Sequence, residues 1–215
     1  MFAMSNDLTS KESTPPDDPQ GKIDKVLLIP GFCEPPLFLW PLKVSLQRHC
    51  DDVQLWPDRM IFRNLEKSVA RLQSTLQEHR SSGSIALVTH SFGDWIARRA
   101  ITESRSHHVS SLVSIAPVMQ AGIVPDLLHH ATGNVIPEIA VMGDPLRANC
   151  DADVDANVRR LVIWANIDMY VRPVELDENS AATVHHLVGS HLTVAMQPNS
   201  LRLITQFLFP TSDIP

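Results

Sequence analysis

Ser84-Ile85-Ala86-Leu87-Val88-Thr89-His90-Ser91-Phe92-Gly93 is the stretch that decides the fold. It opens on an apolar run rich in β-formers, set off by Ser81-Ser82-Gly83. A continuous run of that kind predicts a strand buried on both faces. Directly behind it, Asp94-Trp95-Ile96-Ala97-Arg98-Arg99-Ala100-Ile101 extends a helical pattern in which Phe92, Ile96 and Ala100 share one face. A serine on so sharp a strand-to-helix turn has the setting of a nucleophile elbow. The turn holds Oγ clear of the sheet, and the helix N-terminus offers N–H groups to a developing oxyanion.

Two further strand ends carry matching chemistry. Arg160-Leu161-Val162-Ile163-Trp164-Ala165 reads as a buried strand that runs out into Asn166-Ile167-Asp168. An aspartate just past such a strand sits where open α/β sheets gather their functional groups. Ala182 to Val188 reads as a last strand, followed by Gly189-Ser190-His191. The order Ser, Asp, His is that of the α/β-hydrolase triad, and differs from the orders of chymotrypsin and subtilisin. The expected roles follow from chemistry. Ser91 attacks, His191 takes and returns its proton, and Asp168 holds the imidazole in one tautomer. The two oxyanion donors are then the amides of Phe92, after the nucleophile, and Phe32, after the Pro30-Gly31 turn.

On these residues the chain resembles small serine α/β-hydrolases, in particular the minimal bacterial lipase A-like esterases and the lipase domain of the GPI inositol-deacylase-like family. The resemblance runs from about Lys25 to Phe209. Val26-Leu27-Leu28-Ile29-Pro30-Gly31-Phe32 resembles the family's first strand and oxyanion loop, and Trp40-Pro41-Leu42 its first helix. His90-Ser91-Phe92-Gly93 resembles the elbow, Gly143-Asp144-Pro145-Leu146 a short stretch before the acid strand, Asp168 with Val171 and Pro173 the acid loop, and Gly189-Ser190-His191 the histidine loop. Two positions depart from the pattern. Thr89 stands where the family has a small residue, which reads as tolerated strain. Asp94 replaces a second small residue and reads as a cap on the positive end of the helix.

The remaining elements complete an α/β pattern. Val53 to Trp56 and Val109 to Ile115 read as strands, and Phe62, Leu65, Val69, Leu72 and Leu76 as one face of a long helix. A final helix begins near Pro198-Asn199. The expected architecture is an α/β-hydrolase fold of about six mostly parallel strands, with helices on both faces and no large lid. Residues 1–22 read as a disordered polar tail and 23–215 as a single catalytic domain.

Composition narrows the partners. A net charge of −6 gives no basic footprint for nucleic acid. No stretch approaches the ~20 apolar residues of a membrane span, and no signal-peptide core precedes the domain, so a cytoplasmic protein is expected. Cys33, Cys50 and Cys150 fit a reducing compartment, with Cys33 a bystander thiol beside the oxyanion loop. Neither the histidine pairs at 107–108, 129–130 and 185–186 nor the acidic run Asp151, Asp153, Asp155 has metal-ligand spacing. No cofactor is expected, and the sequence leaves oligomeric state open.

The substrate expected is an ester with a short to medium acyl chain, which a small, apolar, lightly covered site suits better than a bulky polymer. Residues 116–159 leave room for one helix and irregular structure, and their apolar side chains read equally as an acyl-binding wall or as core. Met119 from that segment, with Phe38 and Leu39, is a candidate substrate contact. Thioester or amide hydrolysis by the same triad, or a non-hydrolytic ligand-binding or lyase role on this fold, remain open. A triad predicts activity rising with histidine deprotonation, around pH 6 to 7 by the reference value.

Overall fold

Six parallel strands run side by side in the order β2-β1-β3-β4-β5-β6. They are β1 (Ile23–Ile29), β2 (Asp52–Leu55), β3 (Ser84–His90), β4 (Val109–Ile115), β5 (Arg159–Ile167) and β6 (Ala182–Ser190). The structure is a computed structural model that describes residues 22–78, 83–104, 106–150, 154–155, 157–176 and 182–210. The tail at 1–21, Asp151, Asp153 and Asp177 lie outside the described residues. Central strands β3, β4 and β5 are almost continuously buried, the reason their sequences read as unbroken apolar runs. β6 closes one edge, and its burial is correspondingly partial.

Among the described residues seven α-helices connect and cover the strands: α1 (Trp40–Leu46), α2 (Leu65–Glu78), α3 (Phe92–Glu103), α4 (Ile123–Thr132), α5 (Pro137–Met142), α6 (Pro145–Ala148) and α7 (Pro198–Leu208). From β1 the chain moves outward to β2, then crosses back over β1 to β3 and continues in one direction. Because parallel crossovers are right-handed, that reversal sends α1 to one face and α2 and α3 to the other. α7 packs beside α1, and α2 beside α3. The reversal also opens a crevice at the C-terminal ends of β1 and β3, the usual ligand position in a doubly wound sheet.

Two local readings of the sequence are corrected. Phe62 does not belong to the α2 face: it is exposed at a positive φ of 54°, and α2 begins at Leu65. The Arg63 amide is instead taken by the Glu138 carboxylate at 3.0 Å, which bends the chain before the helix starts. Residues 116–159 hold three short helices and not one. Pro137 and Pro145 each open a new helix, and Asp144 caps α6 by accepting from the amides of Leu146 and Arg147.

Candidate active site

Ser91 sits between β3 and α3 with φ 52° and ψ −121°, a conformation that L-residues rarely adopt and that costs about 1–3 kcal/mol. The neighbours dictate this sharpness. A Cβ on Gly93 would come within 2.4 Å of the Ile29 carbonyl oxygen, and one on Gly31 within 2.9 Å of the Ser91 Cβ. Glycine at both positions lets the end of β1 and the elbow approach closely. Among the described residues the amides of Phe32 and Phe92 have no backbone acceptor in the loops and turns.

The chain after β5 delivers the acid. One Asp168 oxygen, Oδ1, accepts from the amides of Tyr170 at 2.7 Å and Val171 at 3.0 Å. The other, Oδ2, lies 2.7 Å from His191 Nδ1. The carboxylate can only accept here, so Nδ1 carries the hydrogen and Nε2 is the basic nitrogen. The Asp168 loop is itself stitched to the segment before α4. Gly122 donates to the Tyr170 carbonyl at 2.8 Å, and Arg172 donates to that of Gln120 at 2.9 Å. Tyr170 stacks on the His191 ring with centroids 4.9 Å apart. The hydrogen bonds of His191 run to Asp168 and, through its carbonyl, to His90. A bond from Ser91 is not closed, and such contacts commonly tighten only around substrate.

Burial lowers the His191 pKa, and the nearby His90 adds to that effect, while the hydrogen bond and charge of Asp168 oppose it; the net shift is downward. Ser91 and His191 line a common cavity of about 430 Å³ with Phe32, Cys33, Phe38, Val124, Leu128, Met142, Tyr170 and Leu192. A second, more open hollow of about 950 Å³ lies along α2 and α3 and contains neither residue. The smaller cavity has the size and apolar lining of a small-molecule site.

The structure thus brings together Ser91, His191, Asp168, Phe32, Phe92 and Phe38. Leu39 and Met119 do not reach the cleft: each is 1% exposed and packed into the core. In their places stand Val124 and Leu128 from α4 and Met142 at the end of α5. Tyr170, the single tyrosine of the chain, was signalled by its place two residues after Asp168.

The departures at Thr89 and Asp94 form one device. Asp94 is fully buried inside α3 and caps nothing, since Ser91 holds the N-cap position. Its carboxylate accepts from Arg98 Nε at 2.8 Å and lies 3.5 Å from Arg160. The Thr89 hydroxyl sits 3.0 Å from the Val113 carbonyl oxygen and 3.2 Å from Asp94, so the threonine is not strained but bonded. Burial opposes the charge on Asp94, yet Arg98, Arg160 and a Ser114 hydrogen bond outweigh it and lower the pKa. Arg98 in turn donates to the carbonyls of Val118, Ala148 and Cys150, tying the nucleophile helix to the chain beyond β4. Asp94→Ala is expected to cost about 3–5 kcal/mol, because it leaves a buried guanidinium without its counter-charge. Denaturant midpoints measure this, and a loss below ~1 kcal/mol would remove the cluster's structural role.

Comparison with solved structures places this architecture. The pyrethroid hydrolase PytH is similar with a TM-score of 0.60 and 16% identity, over 90% of this chain and 100% of that one. Polyneuridine aldehyde esterase gives 0.54 and 15%, over 89% and 100%. A protein from Xanthomonas campestris pv. campestris assigned to the α/β hydrolase superfamily gives 0.59 and 16%, over 86% and 99%. The chain has the α/β-hydrolase fold. At these identities the likeness extends to the fold alone. No protein-family model matches the sequence, and no curated protein matches it. Among the described residues no helix is long and apolar enough to cross a membrane.

Proposed function

We propose that this chain is a serine hydrolase of carboxylic esters with short to medium acyl chains, working through Ser91, His191 and Asp168. The observation that carries the reading is a serine in a strained elbow sharing an apolar cavity with a histidine whose Nδ1 is held by a buried-edge carboxylate. In this mechanism Ser91 Oγ attacks the ester carbonyl as His191 Nε2 takes its proton. The carbonyl oxygen becomes an oxyanion held by the amides of Phe32 and Phe92. Collapse breaks the ester bond, with the alcohol leaving on the proton from His191. Water, activated by the same nitrogen, then hydrolyses the acyl-enzyme. Phe32, Phe38, Val124, Leu128, Met142 and Leu192 supply the apolar wall for the acyl chain.

A panel of p-nitrophenyl esters of increasing chain length, with matched thioesters and anilides, tests this. Highest kcat/KM on a short or medium ester is expected. Faster thioester or anilide cleavage would move the reading to that bond class, and no turnover with any of them would return the chain to a non-hydrolytic role.

The downward shift at His191 corrects the pH expectation. Only the neutral imidazole accepts the serine proton, so activity rises as pH climbs through its pKa. That pKa is lowered, so kcat/KM should reach half its plateau below the reference ~6.5 and stay high into mildly acidic buffer. A midpoint above pH ~7 in the pH–kcat/KM profile would contradict the burial argument.

A further inference from the structure

Beside His191, and lining the same cavity, lies a second histidine–carboxylate pair that the mechanism above leaves unused. His90 and Glu34 are 1% and 4% exposed. His90 Nδ1 lies 2.7 Å from Glu34 Oε2, and Nε2 lies 2.9 Å from the main-chain carbonyl oxygen of His191. The same Glu34 oxygen accepts from the Gly31 amide at 2.6 Å. The His90 and His191 rings are 4.9 Å apart.

Counting donors sets the state of His90. The His191 carbonyl can only accept, so Nε2 carries a hydrogen. The Glu34 carboxylate also accepts, from Gly31 and from the ring, so Nδ1 carries one too. An imidazole with two N–H groups is a cation. Burial works against that charge, but the charge and hydrogen bond of Glu34, the His191 carbonyl and the more distant Asp168 outweigh it, and the His90 pKa is raised. The other groups around the pair are Arg63, whose guanidinium donates to the Gly31 carbonyl at 2.6 Å, Glu138 beyond it, and the Phe38 ring against His90.

We propose that the Glu34 carboxylate and a doubly protonated His90 form a positioning pair that sets the oxyanion loop and His191 in one register. Glu34 fixes Gly31, and with it the direction of the Phe32 amide. His90, one residue before the nucleophile, fixes the His191 main chain. Three strand ends, those of β1, β3 and β6, are joined through one buried charge pair. Neither residue carries a step of the proposed mechanism, although both line the same cavity as Ser91 and His191. An ion pair of this kind is a costly way to fill space, since apolar residues of equal volume would serve packing as well or better. Its use here is directional.

The pair rests on the proposed hydrolytic reading for its purpose, but its state can be tested without it. In the wild-type protein, ¹⁵N NMR should find both His90 ring nitrogens protonated at pH 7. A neutral His90 there would overturn the proposal whatever the esterase panel shows. Glu34→Gln removes the counter-charge that outweighs burial, so the His90 pKa falls. Once neutral, His90 has one N–H: with the new amide's oxygen in the Oε2 place either His191 or residue 34 is released, and with its NH₂ there the Gly31 amide loses its acceptor. The expected result is a kcat about 10²-fold lower with KM little changed, and a new decline of kcat as pH rises through that titration. A variant with the wild-type pH profile and only a lower Tm would make the pair structural and sink the proposal. Should Glu34→Gln not fold, Glu34→Asp carries the test: the charge stays but its reach shortens. It should lower kcat while keeping the alkaline plateau, and an unchanged kcat would again overturn the pair.

Discussion

Replacing Ser91 with alanine is expected to lower ester turnover by about 10⁶-fold and to leave the folded protein as stable as the wild type. The size of the loss reflects a triad acting as a unit: without the nucleophile, His191 and Asp168 have no proton to move. The stability half of the expectation comes from the elbow. Alanine keeps the Cβ, so the backbone at φ 52° is neither relieved nor further crowded. The Ser91 side chain makes no capping hydrogen bond whose loss would be felt. The comparison is between purified proteins, by steady-state turnover and thermal melting. Near wild-type turnover would remove Ser91 from the mechanism and bring forward Cys33, whose residue lines the same cavity.

Asp168→Asn should reduce kcat by up to about 10⁴-fold, the scale known for the equivalent change in a serine protease. The hydrogen bonds explain why an isosteric change does so much. The amides of Tyr170 and Val171 both donate to Oδ1, so the asparagine oxygen must stay on that side. Its NH₂ group then faces His191 Nδ1, which has to accept. The imidazole hydrogen moves to Nε2, and the nitrogen that should receive the serine proton is already occupied. Asp144→Asn is the matched control, because Asp144 caps α6 and has no path to His191. If Asp168→Asn keeps most of its activity while the Asp144 variant does not, the acid has been misassigned. The Ser91 and His191 assignments would survive that outcome.

The parts of the site legible in the sequence are those that local chemistry marks. A buried parallel strand must be apolar throughout, so the polar residues at its end stand out, and Ser91 and Asp168 both follow such runs, while His191 follows the partly exposed edge strand β6. What escaped was set by contacts between distant segments. Glu34 in Cys33-Glu34-Pro35-Pro36 reads as an ordinary loop charge until His90, which lies 56 positions away, closes on it. Thr89 and Asp94 looked like separate departures because nothing in the chain announces that Arg98 and Arg160 converge on one carboxylate. Leu39 and Met119 were placed at the cleft for their apolarity, which a core position satisfies equally well. Phe38, one position before Leu39, and Val124 and Leu128, five and nine positions after Met119, face the cavity instead, a distinction that hydrophobicity does not encode.

The strand order also imposes a timetable on a chain emerging from a ribosome. After β3, each new strand joins the outer side of the last, so β1 to β4 can assemble with the serine turn before β5 and β6 exist. Translation at ~5–20 residues per second separates Ser91 from His191 by about 5 to 20 s. During that interval a nascent chain would carry the proposed nucleophile without its proposed base. In the proposed mechanism, reactivity is switched on only when β6, the last strand of the sheet, has docked.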